Sequence, residues 1–263
     1  MLFDACLAKL AWWPVAGILL VWLAGSAPAQ AAQPIALYYP YFTGAQARIG
    51  KIKALAERVS QSYVHVVILY PGNPDTNDPP GILQQASGII VDARGHIVTA
   101  AHIARTSKNE ARIIVRDGSE HAARILYIDP KQDLALLKVA PFAGMKPAIF
   151  AAENTVRQSN FAIAVGSPSR GRGAVSMGFV RLPRLNERLA YNRWGIINAI
   201  EISMEVESGH SGGPVFNRRG ELIGMIAGYE LGDTTKRPYI SPRITYAIPI
   251  AGIRDFLMRA VGR

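Results

Sequence analysis

Short β-branched runs, each soon cut off by a turn signal, fill this chain from Tyr63 to Ile250. The 24 glycines and 17 prolines supply the punctuation. A long amphipathic helix cannot survive such spacing, so the pattern specifies an all-β architecture of many strands. Tyr63–Tyr70 reads as the first strand. Ser87–Ala104, SGIIVDARGHIVTAAHIA, reads as a strand, a turn at Asp92–Gly95 and a second strand ending at Thr99-Ala100-Ala101-His102. In Asp129–Val139, DPKQDLALLKV, Asp133 opens a strand carrying Leu134, Leu136, Leu137 and Val139. Tyr246–Ile250 reads as the last strand. A length of 263 residues allows one compact unit or two small lobes, each with its own core.

Helical periodicity is confined to the two flanks of this region. Ala45–Gln61 places Ile49, Ile52, Leu55, Ala56 and Val59 on one face with cations opposite, predicting a short N-terminal helix. Ile250, Ile253, Phe256, Leu257 and Ala260 share one face of a C-terminal helix. Ahead of the first helix lies the aromatic, proline-broken run Leu37–Phe42, and Pro71–Gly81 has the composition of an exposed loop.

Chemistry concentrates in Gly209–Phe216, GHSGGPVF, where Ser211 sits in a glycine turn before an apolar strand. A serine between glycines serves equally well as a plain hairpin turn. A nucleophilic serine needs more: a base to take its proton, and backbone N–H groups aimed at the oxyanion that its attack creates. The glycines permit the turn and close substrate approach. In chain order the sequence offers His102, Asp133 and Ser211. An imidazole can accept the serine proton while a buried carboxylate on its other nitrogen fixes the tautomer and stabilises the imidazolium.

Together TAAH, DLALLKV and GHSGGPVFNRRGELIGM resemble the trypsin-like serine proteases, most closely the HtrA/Deg branch. The similarity runs from about Tyr63 to Ile250. It implies two six-stranded antiparallel β-barrels of the chymotrypsin/trypsin type, with lobes of about residues 63–151 and 152–250 and the active site between them. His102 and Asp133 then come from the first lobe and Ser211 from the second. The catalytic residues are His102, Asp133 and Ser211, and the N–H groups of Gly209 and Ser211 form the oxyanion hole. Only Ala251–Arg263 follow the last strand, too few for the PDZ domain of many HtrA proteins, so none is expected.

The primary pocket in this fold is walled by residues before the serine and by the strand after it, here Met204–Glu207 and Ile226, Ala227 and Gly228. Ile226 and Ala227 suit small aliphatic substrates; Glu205 or Glu207 would select a basic one if either pointed inward, the alternative being surface placement. His96 is a competing base, read as a solvent-facing strand residue. Asp129 precedes a proline and reads as a turn former, while His65 and His121 lack catalytic context. His210 departs from the family, which carries aspartate or asparagine there; it either packs and hydrogen-bonds or makes the oxyanion loop pH-sensitive. Loops 182–195 and 229–243 are long and basic and fall where relatives carry regulatory loops.

Residues 1–31 contain Lys9, the apolar run Leu10–Ala24 and small residues up to Ala31, the grammar of a cleaved secretory signal peptide. An uncleaved inner-membrane anchor is the alternative, although Pro14 interrupts a run already short for a span of ~20 residues. Either way residues 63–263, the protease domain, act in the periplasm or outside the cell. Cys6 is the only cysteine and lies in that leader, so no disulfide is expected in the mature chain. The five histidines show no ligand spacing, and neither metal nor cofactor is expected. Expected partners are polypeptide substrates. The aromatic segment within residues 32–62 implies a homotrimer by resemblance, or else covers the open end of the first barrel. The net charge of +10 suits contact with anionic membrane or cell-wall surfaces, while an exported chain without an aromatic–basic motif is not a nucleic-acid binder.

Overall fold

The computed structural model describes residues 46–70, 72, 81–168, 171–191, 194–196, 198–230 and 244–262. The leader, the aromatic run 37–42, nearly all of the 71–81 loop and residues 231–243 lie outside the described residues.

Helix α1 (Gln46–Val59) runs into a 3₁₀ turn (Ser60–Ser62) and then strand β1 (Tyr63–Tyr70). Five more strands follow: β2 (Gly81–Ile90), β3 (His96–Ala100), β4 (Glu110–Ile114), β5 (Glu120–Asp129) and β6 (Leu134–Val139), with the single-turn helix α2 (Ala101–Ala104) after β3. They close as an antiparallel barrel in the order β1-β2-β3-β6-β5-β4. A second set comprises β7 (Phe161–Gly166), β8 (Ala174–Leu182), a hairpin of β9 (Leu189–Tyr191) and β10 (Trp194–Ile196), β11 (Ile200–Met204), β12 (Pro214–Phe216), β13 (Leu222–Glu230) and β14 (Ile244–Pro249). Six of these close a second barrel in the order β11-β14-β13-β12-β7-β8. Closure pairs every barrel strand on both sides, which removes the sticky edges an open sheet would present. The chain ends in helix α3 (Ile250–Val261). This is the two-barrel chymotrypsin architecture, with short helices at either end.

Burial explains why some strands alternate and others do not. In β5 exposed and buried residues alternate along much of its length, as on a sheet with one wet face. β3 is buried throughout and β6 almost throughout, because one face fills the barrel and the other meets neighbouring elements. One apolar cluster joins first-barrel residues such as Ile97, Leu134 and Leu136 to second-barrel residues such as Ile163, Val165, Phe216 and Met225. The barrels are therefore fused along a hydrophobic seam.

Both helices reinforce that seam. α3 packs on β5 and β6 of one barrel and on β13 and β14 of the other. Its Ile250, Ile253 and Phe256 are buried, and Phe256 stacks on Tyr127 with ring centroids 5.7 Å apart. α1 buries Leu55, Ala56 and Val59, while Ile49 at its start is exposed. Arg58 of α1 donates to the Arg219 carbonyl at 2.9 Å, tying the helix to the β12–β13 turn. The segment at residues 182–195 is not a plain loop: after residue 188 it pairs as the β9–β10 hairpin, with Trp194 and Ile196 buried.

Candidate active site

His102 lies in α2, directly beyond the buried strand β3. Asp133 stands immediately before β6, fully buried, with a φ of +53°. β3 and β6 are paired, Ala100 opposite Leu134, which brings the two residues together. The Asp133 carboxylate lies 2.8 Å from His102 Nδ1 through Oδ2 and 3.1 Å through Oδ1. Oδ1 also accepts the His102 backbone N–H at 2.9 Å, and the Asp133 carbonyl accepts the Ala101 N–H at 3.1 Å. One carboxylate thus caps a helix too short to stand alone and holds the ring, Nδ1 toward itself.

Ser211 arises from the opposite barrel, between two consecutive turns. The His210 N–H donates to the Glu207 carbonyl at 3.1 Å, and the Gly213 N–H donates to the His210 carbonyl at 2.8 Å. The third residues of these turns, Gly209 and Gly212, have φ of +98° and +83°, whereas the second residues, Ser208 and Ser211, do not have positive φ. That combination defines type II turns and explains the spacing of glycines around the serine. Among the described residues, the N–H groups of Gly209 and Ser211 enter none of these turn bonds. Both remain available as donors on the same stretch of backbone.

The Ser211 turn is pressed onto the first barrel. A Cβ on Gly212 would stand 2.1 Å from the Ser87 carbonyl oxygen, 2.4 Å from Thr99 Oγ1 and 3.1 Å from the Ala100 nitrogen. A Cβ on Gly209 would stand 1.9 Å from the Ser167 carbonyl oxygen. Neither position tolerates a side chain without backbone movement. Ser211 accordingly sits against the end of β3, the strand that delivers His102.

The proposed wall residues divide. Ile226 is buried in the core of the second barrel, and its backbone brackets the Ser211 turn: its carbonyl accepts the Gly212 N–H at 2.8 Å and its N–H donates to the Gly213 carbonyl at 2.8 Å. Ala227 is buried in the seam. A Cβ on Gly228 would touch nothing, so this residue borders open space. Met204 is buried and Glu207 is exposed. On the other side of the turn, a groove of about 1230 Å³ is lined by Val67, Leu69, Ile82, Leu83, Ser208 and Gly209, among others.

The remaining histidines and Asp129 have structural partners. His96 is not solvent-facing, as its place after a turn suggested: it is buried, with Nδ1 2.7 Å from Asp92 Oδ2 across the turn. The same carboxylate caps the turn through its bond from the Arg94 N–H, and its pKa is lowered by the bonds from His96 against the opposing cost of burial. His121 stacks on Phe142 at 4.2 Å. Asp129 does form a turn, accepting the Lys131 N–H at 2.9 Å, and also pairs with Arg259 of α3 at 2.9 Å.

Two buried imidazoles lie at or near the Gly209 turn. The His210 ring packs on Gly166, and its Nδ1 stands 3.1 Å from the carbonyl and 3.2 Å from the nitrogen of Glu207, donating to one or accepting from the other according to tautomer. Among the described residues its Nε2 has no hydrogen-bond partner, and it is buried. Burial lowers its pKa below the usual imidazole value, partly offset by Glu207. His65 lies in a polar row: Ser167 Oγ is 2.7 Å from its Nδ1 and Gln85 Oε1 is 3.0 Å from its Nε2. Burial lowers its pKa as well. Tyr63 hydrogen-bonds Ser167 Oγ and, chiefly through desolvation, is pushed up to about 12. Sequence pattern gave no hint of this row, because its members are far apart in the chain.

A profile of the trypsin-like peptidase domain matches residues 86–225, more than half of the chain. Serine protease HTR4 of Rattus norvegicus is 31% identical over 78% of this chain and 40% of its own length. Serine protease HTRA4 of Mus musculus is likewise 31% identical over 78% of this chain and 40% of its own. Serine protease HTRA1 of Xenopus tropicalis is 28% identical over 81% of this chain and 43% of its own. The chain thus spans about two fifths of the length of these relatives. Two closed barrels, a serine turn with glycines at both third positions and a carboxylate-held histidine at their junction agree with these matches: the chain belongs to the trypsin-like peptidase family.

Proposed function

We propose that this chain is an exported serine endopeptidase that cuts polypeptides through an acyl-enzyme, with Ser211, His102 and Asp133 as its triad. The observation that carries the reading is the His102–Asp133 pair, at 2.8 Å, set where the Ser211 turn abuts β3. In this mechanism Ser211 Oγ attacks the scissile carbonyl carbon as its proton passes to His102 Nε2. Asp133, bonded at Nδ1, stabilises the resulting imidazolium. The oxyanion accepts the N–H groups of Gly209 and Ser211. Collapse of the tetrahedral intermediate breaks the C–N bond, and His102 returns the proton to the departing amine. Water, deprotonated by His102, then hydrolyses the ester and restores Ser211.

A latent protein on the same fold is the rival, and the type II geometry at Gly209 supports a formed oxyanion turn instead. Export rests on the leader in residues 1–31, and a role in protein quality control or regulatory proteolysis on the likeness to HtrA-type proteases. Trimer formation rests on residues 37–42 and surface contact on the net charge of +10. Hydrolysis of an unfolded fluorogenic casein by the wild type and not by Ser211→Ala is expected. Equal rates in the two proteins would refute the triad, and retention of the wild type in the cytoplasm on fractionation would refute export.

A further inference from the structure

Ser87, on β2 of the first barrel, is fully buried and makes four hydrogen bonds at the junction of the barrels. Its N–H donates to the Ser211 carbonyl at 3.0 Å. Its carbonyl accepts Thr99 Oγ1–H at 2.7 Å. Its hydroxyl oxygen accepts the Ser167 N–H at 3.0 Å and stands 2.7 Å from the Gly209 carbonyl. The direction of the hydroxyl is therefore settled. A backbone N–H can only donate and a carbonyl can only accept, so the Ser87 proton points at Gly209.

From this geometry we infer that the Ser87 hydroxyl is a positioning residue for the oxyanion hole: it fixes the Gly209–His210 peptide plane, against which the Gly209 N–H is aimed. A type I to type II flip rotates the Ser208–Gly209 peptide, changing φ at Gly209 while the following plane stays put. With that following plane pinned by Ser87, φ at Gly209 is the torsion that aims the N–H, and it stands at +98°. The Ser167 carbonyl, against which Gly209 has no room for a Cβ, closes the other side. Ser167 is itself held through its N–H by the same hydroxyl. One oxygen atom of the first barrel thus sets both walls of the slot occupied by Gly209, which belongs to the second. The inference rests on the reading of Ser211 as the nucleophile.

The test compares wild type, Ser87→Ala and Ser211→Ala, each with its main-chain bonds intact. Ser87→Ala keeps the N–H bond to Ser211 and loses only the hydroxyl. Losing one buried hydrogen bond of this kind lowers kcat by roughly 10- to 100-fold, less than the ~100- to 1000-fold that follows outright loss of an oxyanion donor. KM should stay within twofold, because the peptide-binding walls do not move. The second-order rate of labelling by a fluorophosphonate, whose P–O oxygen must enter the same hole, should fall in step with kcat. Ser87→Ala with kcat and labelling rate within threefold of a labelled wild type overturns this inference alone. A loss confined to KM overturns it also, and a wild type that does not label at Ser211 overturns both this inference and the reading beneath it. Where Ser87→Ala does not fold, Ser87→Cys carries the test. Its thiol fills the site but donates weakly, so a loss of threefold or more is expected, and wild-type rates would refute the role.

Discussion

Replacing Gly209 by alanine should separate folding from catalysis in this protein. The residue holds φ at +98°, and an added Cβ would stand 1.9 Å from the Ser167 carbonyl oxygen. A left-handed backbone costs a non-glycine residue about 1–2 kcal/mol. The overlap costs more, because the atom it meets is backbone of the structured β7 end and cannot swing aside as a side chain would. The backbone strain is relieved by turning the Ser208–Gly209 peptide to the type I orientation, where the third residue has φ near −90°, and the overlap by a shift of the turn away from Ser167. That rotation points the Gly209 N–H away from the oxyanion. Loss of one such donor costs ~100- to 1000-fold in kcat, about 2.7–4 kcal/mol of transition-state stabilisation. The barrels, closed by their own ladders, should survive. The assay is kcat and KM on an internally quenched peptide, with urea unfolding run alongside. A folded Gly209→Ala protein retaining a third or more of wild-type kcat would refute the reasoning.

Three other perturbations follow from the geometry. Asp133→Asn should leave the fold intact but present the wrong hydrogen-bonding group to His102 Nδ1, lowering kcat by ~10⁴-fold; a loss below tenfold in steady-state kinetics would contradict the assignment. Phe256→Ala removes a fully buried ring from the helix that spans both barrels and should cost roughly 3–5 kcal/mol in urea unfolding, with a loss under 1 kcal/mol counting against that role. His210, whose pKa burial depresses, holds a proton less readily in the folded than in the unfolded chain, so stability should decline as pH drops through the unfolded value of about 6.5. His210→Asn should flatten that decline, and identical urea midpoints against pH for both proteins would refute it.

Much of this was legible in local sequence because its causes are local. The glycines around Ser211 announce two turns whose third residues need positive φ. The spacing of apolar residues placed both terminal helices, and α1 ends within two residues of the expected boundary. The near-uniform burial of β6 matches a run, LALLKV, with one polar residue, Lys138, which is also the one left partly exposed. What escaped depends on distant pairings. His96 follows a turn and so reads as exposed, but Asp92 folds back across that turn to hold it. The 182–195 segment reads as a loop because a three-residue strand is too short to show a period. Ser87 carries no sequence signal of its place at the junction. Its partners, Ser167, Gly209 and Ser211, come from the other barrel, and no spacing in the chain announces them.

Whether Ser211 is the activated nucleophile can be read from a single covalent adduct. The mature wild-type chain is treated with a fluorophosphonate, digested and mapped by mass spectrometry, with His102→Ala treated in parallel. One phosphonyl group on the Ser211 peptide of the wild type, and none on the variant, is the predicted result. An unmodified Ser211, or equal modification when His102 is gone, would contradict it.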